Sequence, residues 1–452
     1  MSEILKRLET RLNESWMLGY NSHYFYQLTQ FYINNFIEIK SSILYPKIIL
    51  AHPKPDHFLS AFLAAMITQC HLFLGNYQWT EKEWKRVLNL TQPNLILGLD
   101  NPPQFNLDNN QQNCLLPETA LIMIPTGGSS GNIKFAIHTW ETLSASVQGF
   151  TQFFKVNQIN SFCVLPLYHV SGLMQFMRSF LTQGKIIIYA YSDLKKGLKP
   201  SRDVRDYFIS LVPTQLQRLL EIDSHWLTNF KTILLGGAPP WNSLLETARN
   251  YQLNLSPTYG MTETASQIVT LKPQDFLQGN QSTGQILPHA KIYINEPTKV
   301  INVQAKSLFL GYYPNLKKSS IFVTDDLGYY DHEHYLYIMG RNSQKIITGG
   351  ENVFPKEVEN AILETGLVKD VSVIGIPHPQ WGEAVTAVYV AHTNSLNVQD
   401  IQTAIRNQLS YFKQPKYWIK LEKLPRNQQG KLNYQILQNI ALTHIKPGDK
   451  LQ

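Results

Sequence analysis

Cysteine is scarce in this chain. Cys70, Cys114 and Cys163 are spread over 452 positions and form no CxxC pair. That excludes a disulfide framework and a cysteine-based zinc site, and it suits a reducing compartment. Long apolar runs are also missing. The longest, residues 58–75, is interrupted by Gln69 and His71, so it reads as a core helix and no stable membrane insertion is expected. The opening Met1-Ser2-Glu3-Ile4-Leu5-Lys6 is charged and has no apolar h-region; no secretory leader is expected, and the cytoplasm is the default address. There is no internal repeat and no low-complexity tract. Basic clusters are short, Lys195-Lys196 and Lys317-Lys318, so the formal net charge of +7 is dispersed. Such an excess suits small anions and leaves no nucleic-acid footprint.

What is present describes a globular protein. Apolar residues make up 43% and aromatics 12%, and the length exceeds what one core can serve. Residues 1–45 read as helical and aromatic. Strands are expected at 47–51, 95–99, 121–125, 162–167, 186–190 and 232–235, with helices at 140–154, 172–183 and 242–251. Alternation of this kind predicts an α/β sheet covered on both faces. Near Gly340-Arg341 a second region begins, with a helix at 355–364, strands at 371–376 and 384–391, a helix at 398–409 and a strand at 417–421. The expected architecture is α/β: a large N-terminal domain of layered β-sheets flanked by helices (1–340) and a small mobile α+β C-terminal domain (341–452). A short connection between two domains is a candidate hinge, with a site in the cleft.

Five short stretches carry possible chemistry. The first, Thr126-Gly127-Gly128-Ser129-Ser130-Gly131 followed by Lys134, leaves an apolar strand and offers close backbone approach, hydroxyls and a cation. Such a loop can wrap a polyphosphate. It is not a Walker A sequence, because no Gly-Lys-Ser/Thr follows, and taken alone it is equally an exposed strand-to-strand turn. The second, Thr258-Tyr259-Gly260-Met261-Thr262-Glu263-Thr264, could stack a base, touch a phosphate and hold Mg²⁺, or be an ordinary loop with a helix start. The third is the glycine turn Gly236-Gly237-Ala238 at a strand end, where open sheets bind ligands. The fourth contains Asp325-Asp326, Arg341 and Gly349-Gly350-Glu351; without context the acidic pair is a solvated turn. The fifth presents Lys431 in a late turn.

In this order the five stretches resemble the adenylate-forming acyl-CoA synthetase superfamily, over residues 47 to 440. Within it, residues 165–172, Arg178 and the continuation Ser266-Gln267 are similar to the branch that activates o-succinylbenzoate. The resemblance implies a two-step reaction with ATP, Mg²⁺ and coenzyme A. A carboxylate attacks the α-phosphate to give an acyl-adenylate, and the coenzyme A thiol then displaces AMP. The implied end product is a menaquinone or phylloquinone precursor.

The resemblance also implies roles. Thr126 to Gly131 and Lys134 hold the β- and γ-phosphates, Thr262 touches the α-phosphate, and Glu263 binds the metal. Tyr259 and Gly260, with Gly236, Gly237 and Ala238, line the adenine pocket; Asp326 and Arg341 hold the ribose. Lys431 bridges the substrate carboxylate and α-phosphate. Arg178 is the candidate for the retained aromatic carboxylate, with His169, Ser171, Ser266 and Gln267 lining the acyl pocket; a surface position for Arg178 is equally open. Ser343, Gly349, Gly350 and Glu351 belong to the hinge and the coenzyme A tunnel, and the small domain is expected to rotate about residues 341–343 between the half-reactions. Three positions depart from the family: Gly127 for serine, Asp325 for glycine, and Ser343 for a charged hinge residue. Another aryl or short-chain acyl-CoA ligase, or a catalytically silent nucleotide-binding relative, are the competing readings. The oligomeric state is not legible.

Overall fold

Ile48, Ile49 and Leu50, like Leu72, Phe73 and Leu74, are fully buried. That is why they are unbroken apolar runs: a parallel strand covered on both faces has no polar side to alternate with. The computed structural model describes residues 3–99, 117–127, 133–316, 319–393, 395–426 and 432–445. These two strands belong to a seven-stranded sheet ordered Asn315–Leu316, Gly311–Tyr312, Ile133–His138, Ile122–Gly127, His71–Leu74, Lys47–Leu50 and Leu95–Leu97.

A second, eight-stranded sheet runs Met17–Leu18, Ile186–Ile188, Asn160–Cys163, Tyr207–Leu211, Thr232–Leu235, Leu255–Met261, Ser266–Thr270 and Gln285–Ile286. It is parallel up to Leu255–Met261 and antiparallel beyond it. Helices lie between the sheets. Pro55–Ile67 is buried all round from Phe58 to Met66, and it shares one core cluster with Ile48 and Ile122 of one sheet and Cys163 and Ile186 of the other. A helix apolar on every face can live only in such a filling. The outer faces carry Glu81–Thr91 on one side and Pro213–Thr228 with Asn242–Asn250 on the other.

A four-stranded antiparallel sheet follows: Ala290–Asn295, Val300–Ala305, Phe322–Tyr330 and Leu336–Arg341. The remaining sheet joins Ile346–Thr348, Glu351–Val353, Val368–His378, Gly382–Ala391 and Tyr417–Lys420, covered by helices Pro355–Glu364, Val398–Ile405 and Tyr434–His444. This last body touches the first through Asn242 Nδ2, which donates to Glu364 Oε1 at 2.6 Å.

Two expectations need correction, and one element went unforeseen. Residues 58–75 are not one helix: the helix ends at Ile67, Gln69 takes a left-handed φ of 58°, and a strand starts at His71. The interrupting Gln69 marks the turn. The four-stranded sheet was not anticipated, because Ala290–Asn295 and Val300–Ala305 are short, half-exposed ribbons rather than apolar runs. And Asp325-Asp326 is no turn; it lies inside strand Phe322–Tyr330.

Candidate active site

The glycine loop is a hairpin connection. Strands Ile122–Gly127 and Ile133–His138 pair with Thr126 opposite Lys134 and Gly127 opposite Ile133. Gly128, Ser129, Ser130 and Gly131 lie outside the described residues, so the structure places the base of this loop only. At that base the Lys134 ammonium sits 5.4 Å from the centre of the Tyr312 ring. Tyr312, on the neighbouring strand opposite Ala136, donates its hydroxyl to Glu263 Oε1 at 2.6 Å. Burial and the Glu263 charge push the Tyr312 hydroxyl well above the usual phenol range, so it remains a donor. One tyrosine thus ties the root of the glycine loop to the carboxylate. No local motif flags it, because strand pairing alone brings it there.

Tyr259 and Gly260 lie at the end of the last parallel strand, next to the antiparallel turn-back. Gly260 is obligatory: a Cβ there would fall 2.2 Å from the Ser266 carbonyl oxygen. Thr262–Thr264 forms one 3₁₀ turn, and Ala265 and Ser266 both take positive φ, 52° and 90°. A serine at +90° is strained, and strain of this kind collects at working sites. His138 holds the turn from beneath. Its Nε2 donates to the Thr262 carbonyl at 2.7 Å, and its Nδ1 lies 3.0 Å from the Thr142 hydroxyl. Burial pushes its pKa down to about 4, so the ring is neutral. Sequence reading missed His138, since a lone histidine on a strand carries no signal.

The Tyr259 hydroxyl donates to Asp326 Oδ2 at 2.8 Å, and Arg341 Nε lies 3.4 Å from Oδ1. Asp326 and Arg341 face each other across two antiparallel strands. Burial raises the Asp326 pKa, while Arg341 and Tyr259 work against that rise. Gly236, Gly237 and Ala238 leave the adjacent strand, and a Cβ on Gly236 would meet Thr258 Oγ1 at 2.4 Å. Two departures from the family turn out to be partners: the Asp325 carboxylate accepts from Ser343 N–H at 3.0 Å and from the Ser343 hydroxyl. Gly349 and Gly350 take left-handed φ of 59° and 86°, with Glu351 exposed beside them. Lys431 lies outside the described residues.

Arg178 is no surface residue; it is 3% exposed, on helix Val170–Leu181. It donates to Gln267 Oε1 at 2.7 Å and Ser266 Oγ at 3.2 Å, and stacks 4.3 Å from the centre of the Phe150 ring. No carboxylate offsets it among the described residues, and burial alone pushes its pKa down to about 9. Buried cations are normally paired, so an unpaired one is poised for an anion. His169 and Ser171 begin the same helix, roughly two turns earlier. Neither is among the hydrogen-bond partners of Arg178.

The metal test falls on Glu263. It is 8% exposed, its carboxylate is fixed by Tyr312, and it makes no ion pair among the described residues. No cluster of three His, Cys, Asp or Glu side chains stands ready for a metal among the described residues. One oriented carboxylate beside a hydroxyl suits Mg²⁺ that arrives with nucleotide phosphates, because that ion is usually held by one or two carboxylates plus the substrate.

Residues 99–313 match the model of AMP-binding enzymes, and residues 357–431 match that of the AMP-binding enzyme C-terminal domain. A 2-succinylbenzoate–CoA ligase of Listeria monocytogenes is 35% identical over 325 residues, covering 70% of this chain and 69% of the relative. The enzyme of that name from Oceanobacillus iheyensis is 31% identical, covering 69% and 68%. Among solved structures, the o-succinylbenzoate CoA synthetase of Bacillus subtilis in complex with its acyl-adenylate intermediate superposes with a TM-score of 0.82 at 22% identity, covering 100% of this chain and 99% of that one. ATP-bound MatB from Rhodopseudomonas palustris gives 0.78 at 21% identity, covering 97% and 98%.

Proposed function

The chain belongs to the 2-succinylbenzoate–CoA ligases of the AMP-binding enzyme family, and from that premise we propose how its residues divide the work. The reaction is ATP-dependent ligation of o-succinylbenzoate to coenzyme A through an acyl-adenylate, a step of menaquinone or phylloquinone synthesis. Neither half needs a protein nucleophile, so the protein's contribution is position and charge. Asp326 and Arg341 hold the ribose, with Tyr259 against the adenine and Gly236 to Ala238 lining the same pocket. Thr126, Lys134 and the glycine loop take the terminal phosphates. Glu263 would hold a Mg²⁺ ion, which when bound would offset phosphate charge, and Thr262 contacts the α-phosphate. Lys431 neutralises charge between the attacking carboxylate and phosphorus. Gly349, Gly350 and Glu351 line the coenzyme A path.

One observation carries the choice of acid: a buried, unpaired guanidinium at Arg178 with Ser266 and Gln267 as its only side-chain hydrogen-bond partners among the described residues. A monocarboxylate would spend its single charge at the α-phosphate and leave Arg178 uncompensated. An acid with a second, retained carboxylate fills both needs. The test is AMP formation with coenzyme A and a panel of acids. We expect o-succinylbenzoate to exceed 4-oxo-4-phenylbutanoate, the same keto acid without the ring carboxylate, by at least ~10-fold in kcat/KM. Parity between them would reject this substrate. No helix among the described residues is long and apolar enough to cross a membrane, and cytoplasmic operation on small molecules completes the proposal.

The 341–452 body rotates between half-reactions, with residues 341–343 as the hinge. Asp325 bridges this hinge to strand Phe322–Tyr330 by accepting from Ser343. Ser343→Pro removes that N–H and fixes φ near roughly −65°. The variant should keep ATP–pyrophosphate exchange and lose thioester formation. A wild-type rate of thioester formation would remove the hinge from these residues.

A further inference from the structure

Three local rules are broken at one place. Gly149 sits inside helix Trp140–Phe154, where glycine is less favourable than alanine because it has more backbone freedom to lose. His289 is 8% exposed, yet neither Nδ1 nor Nε2 has a hydrogen-bond partner among the described residues. Arg178, whose charge acts on that ring, has no acid partner among the described residues and leaves Nε unpaired, as Gln267 leaves Nε2. Each is unfavourable alone, since a buried polar group without a partner has given up its hydration for nothing.

They share one cause. A Cβ on Gly149 would lie 1.8 Å from His289 Nδ1, so the glycine exists to let the imidazole lie against the helix. Arg178 stacks on Phe150, the next residue of that helix. Histidine and arginine therefore lie against neighbouring residues of one helix and feel each other's charge, and the arginine is hydrogen-bonded to the amide. Burial, with the Arg178 charge next in weight, pushes the His289 pKa down to about 4, leaving one N–H donor and one acceptor. The unpaired set is rich in donors: guanidinium Nε–H, amide N–H₂ and imidazole N–H. A carboxylate offers about four acceptor sites and one negative charge. Places where local rules fail together are expected to be functional.

We infer that His289, seated by Gly149, is a specificity residue that donates a hydrogen bond to the retained carboxylate held by Arg178 and Gln267. This rests on the reading of Arg178 given above. The experiment compares wild type, His289→Leu, His289→Gln, Gly149→Ala and Arg178→Ala, each with o-succinylbenzoate and with 4-oxo-4-phenylbutanoate. His289→Leu keeps bulk and removes the donor; we expect KM for o-succinylbenzoate to rise about 10-fold, in the range of one lost hydrogen bond to a charged group. kcat and the constants for 4-oxo-4-phenylbutanoate should change less than about 2-fold. His289→Gln should restore part of the loss, and Gly149→Ala, which evicts the ring, should reproduce it. In ¹⁵N-histidine-labelled enzyme, one imidazole resonance, assigned by its absence in His289→Gln, should move on adding o-succinylbenzoate and stay still with the monocarboxylate. Activity with the monocarboxylate certifies that each variant is folded. If Arg178→Ala discriminates between the acids while His289→Leu does not, the histidine is packing and the inference fails alone. If Arg178→Ala lowers both acids equally, the reading of the site fails with it.

Discussion

Glu263→Gln is expected to slow pyrophosphate release by roughly 10²–10³, the usual scale for removing one group that meets developing charge. The exchange keeps an oxygen for the Tyr312 hydroxyl, which donates to Glu263 Oε1 at 2.6 Å, so the turn should hold. It removes one negative charge from a centre with no three-carboxylate cluster among the described residues. The apparent Mg²⁺ requirement should rise, and excess Mg²⁺ should recover part of the rate. Its thermal midpoint should stay within about 4 °C of wild type, because less than ~1 kcal/mol of folding free energy is at stake. Full activity at limiting Mg²⁺ would take the metal away from Glu263.

Gly260→Ala should do larger damage, by a different route. The added methyl meets the Ser266 carbonyl oxygen at 2.2 Å and the Gln267 Cα at 2.5 Å, both backbone, so no side chain can swing aside. The site is already irregular, with the register shifting between Tyr259 and Gly260. Separating these strands should cost about 3 kcal/mol or more. Tyr259 stands on one side of the glycine, Ser266 and Gln267 opposite it. KM should therefore rise for ATP and for the acid together, whereas His289→Leu should affect the acid alone. Chemical denaturation and initial-rate kinetics read the two effects. Wild-type stability with both KM values intact would mean the strands can part freely.

Much of this was legible in the sequence where the signal is local. Helices Trp140–Phe154 and Pro355–Glu364 were foreseen to the residue, because Thr139 supplies a capping box and Pro355 a fixed first turn. Tyr259, Asp326 and Arg341 were picked out by motif order, and strand pairing brings the three side chains into contact. The misses share a reason as well. Tyr312, His138 and His289 matter through partners far along the chain, and nothing in their own neighbourhoods announces it. Arg178 was open between surface and site until helix Val170–Leu181 placed it inside. The half-exposed ribbons at 290–305 were missed because a one-sided strand pattern is easily read as loop.

The pairing of the two large sheets limits how the chain can be dissected. The stretch recognisable as an AMP-binding enzyme, residues 99–313, should not fold as a unit on its own. Cut there, the seven-stranded sheet loses Lys47–Leu50, His71–Leu74, Leu95–Leu97 and Asn315–Leu316, and the eight-stranded one loses Met17–Leu18. Strand Ile122–Gly127, parallel to His71–Leu74 in the whole chain, would present bare N–H and C=O groups along the apolar run Ile122-Met123-Ile124. Such an edge is a template for aggregation. Ribosomal synthesis meets the same constraint: the glycine hairpin emerges early, but Tyr312, which ties it to Glu263, arrives only after most of both sheets have left the exit tunnel.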